Sequence, residues 1–103
     1  MSTSSSVSKL TGKQARFLRG LGHALRPAVM IGRQEITETT IAALDASLTA
    51  HELVKVKIQE GCLLDRNDVA ASLAEATGAK VAQVLGKTIL FYRPAETPVI
   101  KLP

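Results

Sequence analysis

Along this chain, stretches with helical periodicity alternate with short strand-like runs, and the last two runs stand only two residues apart. Each change of period from 3.6 to 2 marks where a helix hands over to a sheet, so this order narrows the fold more than any composition figure. The first helical stretch opens on Thr11-Gly12-Lys13-Gln14, a capping box in which the Thr11 oxygen and the Gln14 side chain satisfy free backbone amides. From Lys13 to about Leu25, the residues Phe17, Leu18, Leu21 and Leu25 share one face, and Arg16, Arg19 and His23 fall almost opposite. Gly20 and Gly22 each weaken such a helix by about 1 kcal/mol relative to alanine, so packing must hold it in place, and Pro27 ends it.

Ala28-Val29-Met30-Ile31 is a short apolar run that reads as a buried strand, after which Gly32-Arg33-Gln34-Glu35 turns the chain. Thr37 caps a second helix lined by Ile41, Leu44 and Leu48, with Ile36 and Ile41 placed as a hydrophobic staple, and this helix runs out near His51. Leu53 to Gln59 alternates from Val54 onward, which puts Lys55, Lys57 and Gln59 on a sheet face that stays partly wet. Asp65 caps a third helix carrying Val69 and Leu73, and Gly78 stands where a helix stops. Val81–Leu85 and Thr88–Tyr92 are strands joined by Gly86-Lys87 as a tight hairpin. The order is α-β-α-β-α-β-β. Each β-α-β step predicts parallel strands and the closing hairpin an antiparallel pair, which makes an α/β fold with a four-stranded mixed sheet packed with helices.

At 103 residues and 46% hydrophobic content, the chain is sized for one domain and one core, and a binding surface suits it better than a catalytic cleft with a lid. Residues 1–8 read as a serine-rich disordered tail, residues 9–94 as the folded domain, and residues 95–103, following Pro94, as an extended tail over the surface. The start, Met1 to Ser6, has no apolar core of a signal peptide, and no apolar run approaches the ~20 residues of a membrane span. Cys62 is the sole cysteine, so no intramolecular disulfide forms. These features predict a cytoplasmic protein with no membrane partner.

The net charge is +4, and its distribution says more than its total: residues 1–33 hold six basic side chains and no acid, whereas residues 34–103 hold seven basic and nine acidic. Such asymmetry fits an end that faces a polyanion, and it equally fits a surface that is merely solubilising. Catalytic readings find little footing. Cys62 with His51 lacks a third, orienting group, and no Cys/His spacing suggests zinc. Gly86-Lys87-Thr88 resembles the end of a phosphate-binding loop, but strands flank it and its upstream glycine is missing. A hydrolase or nuclease built on His23 or His51 is therefore disfavoured, and no enzyme activity, cofactor, metal or small-molecule substrate is expected. A docking module that sets its basic helix on an acidic protein is the other class left open. With only three aromatic residues, sequence reading by a stacking platform is not expected either.

Four segments carry a family resemblance: Leu18-Arg19-Gly20-Leu21 through His23 to Arg26-Pro27; Met30-Ile31-Gly32; His51 to Ile58; and Gly86 to Pro94. In their order and spacing they resemble the CRM (chloroplast RNA splicing and ribosome maturation) family, in particular its stand-alone bacterial members of the YhbY type. The resemblance implies a fold similar to the C-terminal domain of translation initiation factor three. It also implies RNA binding, with ribosomal RNA in precursors of the large ribosomal subunit as the partner and help with ribosome maturation as the role. On that reading the basic first helix (Lys13, Arg16, Arg19, His23, then Arg26) and the adjacent loop at Gly32 and Arg33 meet RNA. Lys55 and Lys57 on the wet strand face, Lys87 in the hairpin and Arg93 after the last strand are further candidate contacts.

One position departs from the family pattern, in which a G-x-x-G loop follows the first strand: here Glu35 replaces the second glycine. A glycine there lets backbone approach a nucleic-acid strand, and a carboxylate repels phosphate. Unit charges about 4 Å apart interact by about 1 kcal/mol in bulk water and about 4 kcal/mol near a protein surface, with salt and side-chain mobility favouring the lower figure. Glu35→Gly is therefore expected to tighten RNA binding by about 0.5–1.5 kcal/mol in a direct titration. Glu35→Gln separates charge from backbone access, and an unchanged affinity in both variants places this loop away from the RNA.

Overall fold

The computed structural model describes residues 10–32, 36–62 and 64–103. Its helices are α1 (Gly12–Gly22), α2 (Glu38–His51) and α3 (Arg66–Thr77), and its strands are β1 (Val29–Ile31), β2 (Leu53–Ile58), β3 (Lys80–Leu85) and β4 (Thr88–Tyr92). The chain order is the expected α-β-α-β-α-β-β. The sheet runs β1-β2-β4-β3, with β1 parallel to β2 and β4 antiparallel to both of its neighbours. Inserting β4 between β2 and β3 keeps the first three strands parallel while the hairpin closes the sheet.

Period-2 patterning sorts the side chains onto two faces. On one, Val54, Val56, Ile58, Ile89 and Phe91 pack with Leu44 and Leu48 of α2 and Val69 and Leu73 of α3. On the other, Leu53, Leu90, Tyr92 and Ala82 pack with Leu18 of α1, and Leu10, Ile100 and Leu102 lean on them. Caps set the helices as the sequence predicts. Thr11 and Gln14 exchange two 3.1 Å bonds ahead of α1, Thr37 accepts from the Thr40 amide, and Asp65 accepts from the Asn67 amide. Gly78 ends α3 with φ +72°, a left-handed conformation that costs glycine nothing.

Two expectations are corrected. First, α1 stops at Gly22, short of Leu25: Pro27 disfavours helical backbone at the residue before it, and Ala28 must already pair with the Lys55 carbonyl. Of the expected apolar stripe only Leu18 is fully buried, whereas Phe17, Leu21 and Leu25 remain 37–43% exposed. Second, β1 is buried on one side alone. Val29 and Ile31 point into the core, and Met30 is 56% exposed, because α1 leaves that part of the sheet uncovered.

The C-terminal segment is fixed by Glu52. This residue caps α2 with φ +62°, unusual for a side chain other than glycine, and its carboxylate is buried. Its oxygens accept the amides of Ala95 (2.7 Å), Val99 (3.0 Å) and Ile100 (2.8 Å), while its carbonyl accepts the Arg93 amide. Ile100 and Leu102 are thereby brought against the α1 side of the sheet. The backbone donors, Ala95 first, hold the Glu52 carboxyl below its ordinary value although burial opposes them. Tyr92 is raised by burial and by that same charge.

Two stability outcomes follow from this packing. A carboxylate depressed in the folded state stabilises fully above its ordinary value of 4.5, and the contribution is lost as pH falls below that through the folded value. Thermal melts between pH 6 and about 2 are expected to show this loss in the native chain, with a smaller loss in Glu52→Gln. The helix glycines should respond with opposite signs. A Cβ at Gly20 meets nothing within 4 Å, so Gly20→Ala should add about 0.5–1 kcal/mol. A Cβ at Gly22 would stand 2.7 Å from the buried Leu90 side chain. Overpacking outweighs propensity there, and Gly22→Ala is expected to cost about 1 kcal/mol or more in denaturant unfolding.

Candidate nucleic-acid interface

Most cationic residues singled out from the sequence lie along α1 or on the sheet face that α1 only partly covers. Lys13, Arg16, Arg19 and His23 share one side of α1, whose 1.5 Å rise per residue spreads them over roughly 15 Å. Gly22 lets the end of this helix settle onto Leu90, and the close approach brings Arg19 and His23 beside the sheet. There they line a cleft of about 370 Å³ together with Lys55, Gln83, Leu85 and Thr88. Among the described residues no carboxylate borders it. Lys55 is half-buried, its stem against the sheet, whereas Lys57, two residues on, is exposed on the same face.

Beyond the cleft the sheet is open. Register places Met30, Lys57, Thr88 and Leu85 side by side, one from each strand, in a row whose Thr88 and Leu85 end borders the cleft. Met30 is 56% and Leu85 65% exposed, and the lysine stands between Met30 and Thr88. Lys87 lies past the end of this row in the hairpin turn, where its ammonium is 3.8 Å from Glu60. Both partners are exposed, and such a pair contributes little.

Arg26 follows α1 and opens onto a second hollow of about 430 Å³, lined by Leu21, Leu25, Ala28, His51, Lys55 and Ile100 among others. Gly32 leaves β1 against the Gln59 side chain, whose oxygen would lie 3.0 Å from an added Cβ. Arg33 and Glu35, with the rest of the predicted loop, lie outside the described residues.

Arg93 occupies a different environment. Its guanidinium donates to the Asp45 carboxylate (2.6 Å), the Asp45 carbonyl, the Thr49 hydroxyl and the Thr77 carbonyl. It ties α2 to the end of α3, on the sheet face away from α1, and four of its five donors are spent on that bridge. Glu52 and Asp45, which organise this corner, give no signal in the sequence because a single acid within a helix or at its end looks like solvated surface. The nearest signal was Glu52 interrupting the apolar start of a strand.

Charge is thus divided by sheet face. The exposed acids Glu38, Asp45, Asp65, Asp68 and Glu75 belong to α2, α3 or the α3 cap; Glu60 and Glu96 lie in the β2–α3 loop and the C-terminal segment. Among the described residues, no three His, Cys, Asp or Glu side chains gather as a metal would need. His51 and Cys62 line separate hollows. Among the described residues, no helix is long and apolar enough to cross a membrane.

Comparison with known proteins agrees with this architecture. The model of the CRS1/YhbY (CRM) domain matches residues 10–93. A Bacillus subtilis protein named "Probable RNA-binding protein YqeI" is 38% identical over 95 residues, covering 91% of this chain and 99% of its own. A Haemophilus influenzae protein named "RNA-binding protein" is 35% identical over 97 residues, covering 94% and 98%. The solution structure of a hypothetical protein from Staphylococcus aureus, described as a candidate RNA-binding protein, superposes with a TM-score of 0.79 at 40% identity over 92% of this chain and all of its own. With the match spanning nearly the whole chain, this protein belongs to the CRS1/YhbY (CRM) domain family.

Proposed function

We propose that this protein binds structured RNA, ribosomal RNA in precursors of the large ribosomal subunit, and assists ribosome maturation in the cytoplasm without a catalytic step of its own. The observation that carries this reading is the cleft where Arg19, His23 and Lys55 meet with no carboxylate on its border among the described residues, continued by Arg16 and Lys13 along α1. A polyanion docking there meets cations from a helix and a strand held in fixed relation. Phosphates bound on this surface release condensed counterions, which makes electrostatics the main source of affinity. The relatives' names, which describe RNA-binding proteins, point the same way. Phe91 and Tyr92 are buried and Phe17 is the sole exposed Phe or Tyr ring, too few for a stacking platform, so contacts to backbone and shape dominate.

Neutralising about four phosphates gives a log–log salt slope of roughly −3 to −4 in filter binding, and a flat response overturns the mechanism. Arg16→Glu combined with Arg19→Glu is expected to weaken binding at least tenfold, while surface changes of this kind move stability by only about ±0.5 kcal/mol. Arg66→Glu, on the other side of the sheet, serves as the control and should matter much less. Equal losses at both places would mean diffuse attraction to net charge. Sedimentation of tagged protein with ribosomal fractions tests the partner: the native chain should travel with large-subunit precursors, and the double reversal should release it.

A further inference from the structure

The hollow beside Arg26 is unlike the cleft next to it. Its walls are mainly apolar, from Leu21 at the end of α1, Leu25 beyond it, Ala28 ahead of β1 and Ile100 of the C-terminal segment. Leu21 and Leu25 are 43% and 37% exposed there, and neither belongs to a core cluster. Arg26, His51 and Lys55 stand around it, and among the described residues no carboxylate lines it. Lys55 also lines the basic cleft, so the two hollows adjoin across one ammonium group.

A concave apolar site with a few polar groups at its edge takes a flat, uncharged body attached to an anion. A nucleotide has that chemistry: the base fills the hollow while its phosphate meets the cations outside. Helical peptides are a poorer fit. A bound helix lays anchors over two or more turns along an extended groove, whereas this hollow of about 430 Å³ is a compact recess bordered by Ile100 and His51. Resting on the RNA-binding reading, we propose that the hollow formed by Leu21, Leu25, Ala28 and Ile100 receives one unpaired base of the bound RNA, its flanking phosphates held by Arg26 and Lys55. The protein then prefers RNA carrying an extruded nucleotide to a continuous stem, and its preference is for an unstacked base more than for a given sequence. His51, exposed at the edge, offers ring nitrogens for a hydrogen bond to the base.

The test compares three RNAs with the full chain: a paired hairpin stem, the same stem with one bulged nucleotide, and that bulge made abasic. Contacts to a base of this kind are worth roughly 1–3 kcal/mol where the wall is aromatic, so an aliphatic wall predicts about five- to tenfold tighter binding of the bulged RNA. The abasic bulge should bind like the paired stem. Leu21→Asn with Leu25→Asn should remove the preference and leave both the affinity for the paired stem and its salt slope unchanged; His51→Ala, at an exposed position, should reduce it in part. An abasic bulge that binds as well as the intact one overturns the inference, whatever the variants do. So does a preference that survives the double substitution in a folded protein. Salt-dependent binding of all three RNAs with equal affinity rejects the base site alone, whereas binding of none rejects the RNA reading along with it. If the three RNAs bind alike and an acidic, leucine-bearing peptide binds with dependence on Leu21, the hollow is a protein site and the inference is overturned.

Discussion

The antiparallel pairing of β2 with β4 at the middle of the sheet is what the remaining structure hangs on. Residues Val56 and Ile89 are register partners facing α2 and α3, and Leu53 and Tyr92 are partners facing the other way. Since β4 is buried on both faces from Ile89 to Tyr92, it cannot lie at an edge, and the hairpin must insert between the two parallel elements. The first three strands are then held parallel by hydrophobic burial. A polar group at one core position of β4 would disturb one layer and at the next position the other, since neighbouring residues serve opposite clusters.

Covering one sheet face with two helices and the other with one short helix leaves an asymmetric molecule. The 11-residue α1 can shield only part of its face, and the remainder is where Lys57 reaches water between Met30 and Leu85. Isolated helices of this length are marginal, and Gly20 and Gly22 near its C-terminal end make this one weaker still. Its position therefore depends on contacts beyond its own hydrogen bonds: Leu18 in the core, Gly22 against Leu90, and the C-terminal segment drawn in by Glu52. The segment's end meets the helix too, where the Gln14 side chain donates to the Pro103 carbonyl at 3.4 Å. A buried carboxylate on the far side of a strand end thus governs how firmly the basic helix is held.

Local rules made most of the elements legible in the sequence. Capping residues Thr11, Thr37 and Asp65, the Gly78 stop and the Gly86-Lys87 turn act within a few residues of themselves, so their meaning survives without the tertiary structure. Strand directions followed from connectivity, and the buried positions Leu44, Leu48, Val69 and Leu73 from periodicity. What escaped depends on contacts between distant parts of the chain. The end of α1 is decided by the pairing of Ala28 with Lys55, the exposure of Met30 by the shortness of a helix packed elsewhere, and the fixing of the C-terminal segment by an acid more than forty residues away. For the candidate interface, the helix face of Lys13, Arg16, Arg19 and His23 was readable as a stripe. The meeting of Arg19 and His23 with Lys55 was not, because it requires the sheet. Arg93 shows the converse: its place after the last strand suggested a free cation, and only the fold reveals that Asp45, Thr49 and Thr77 occupy it.

Burying Glu52 and committing Arg93 also shape the electrostatics of the surface. Each removes a charge from solvent on its own side: the acid nearest the α1 face is consumed by three backbone amides, and a cation on the opposite side is consumed by α2 and α3. The cations that remain are carried by two rigid elements at a separation set by one glycine. A phosphate chain crossing from α1 to β2 therefore meets charges whose spacing does not have to be organised on binding, which lowers the ordering cost that flexible basic tails incur. In so small a domain, that preorganisation is what a four-stranded sheet with one half-covered face provides.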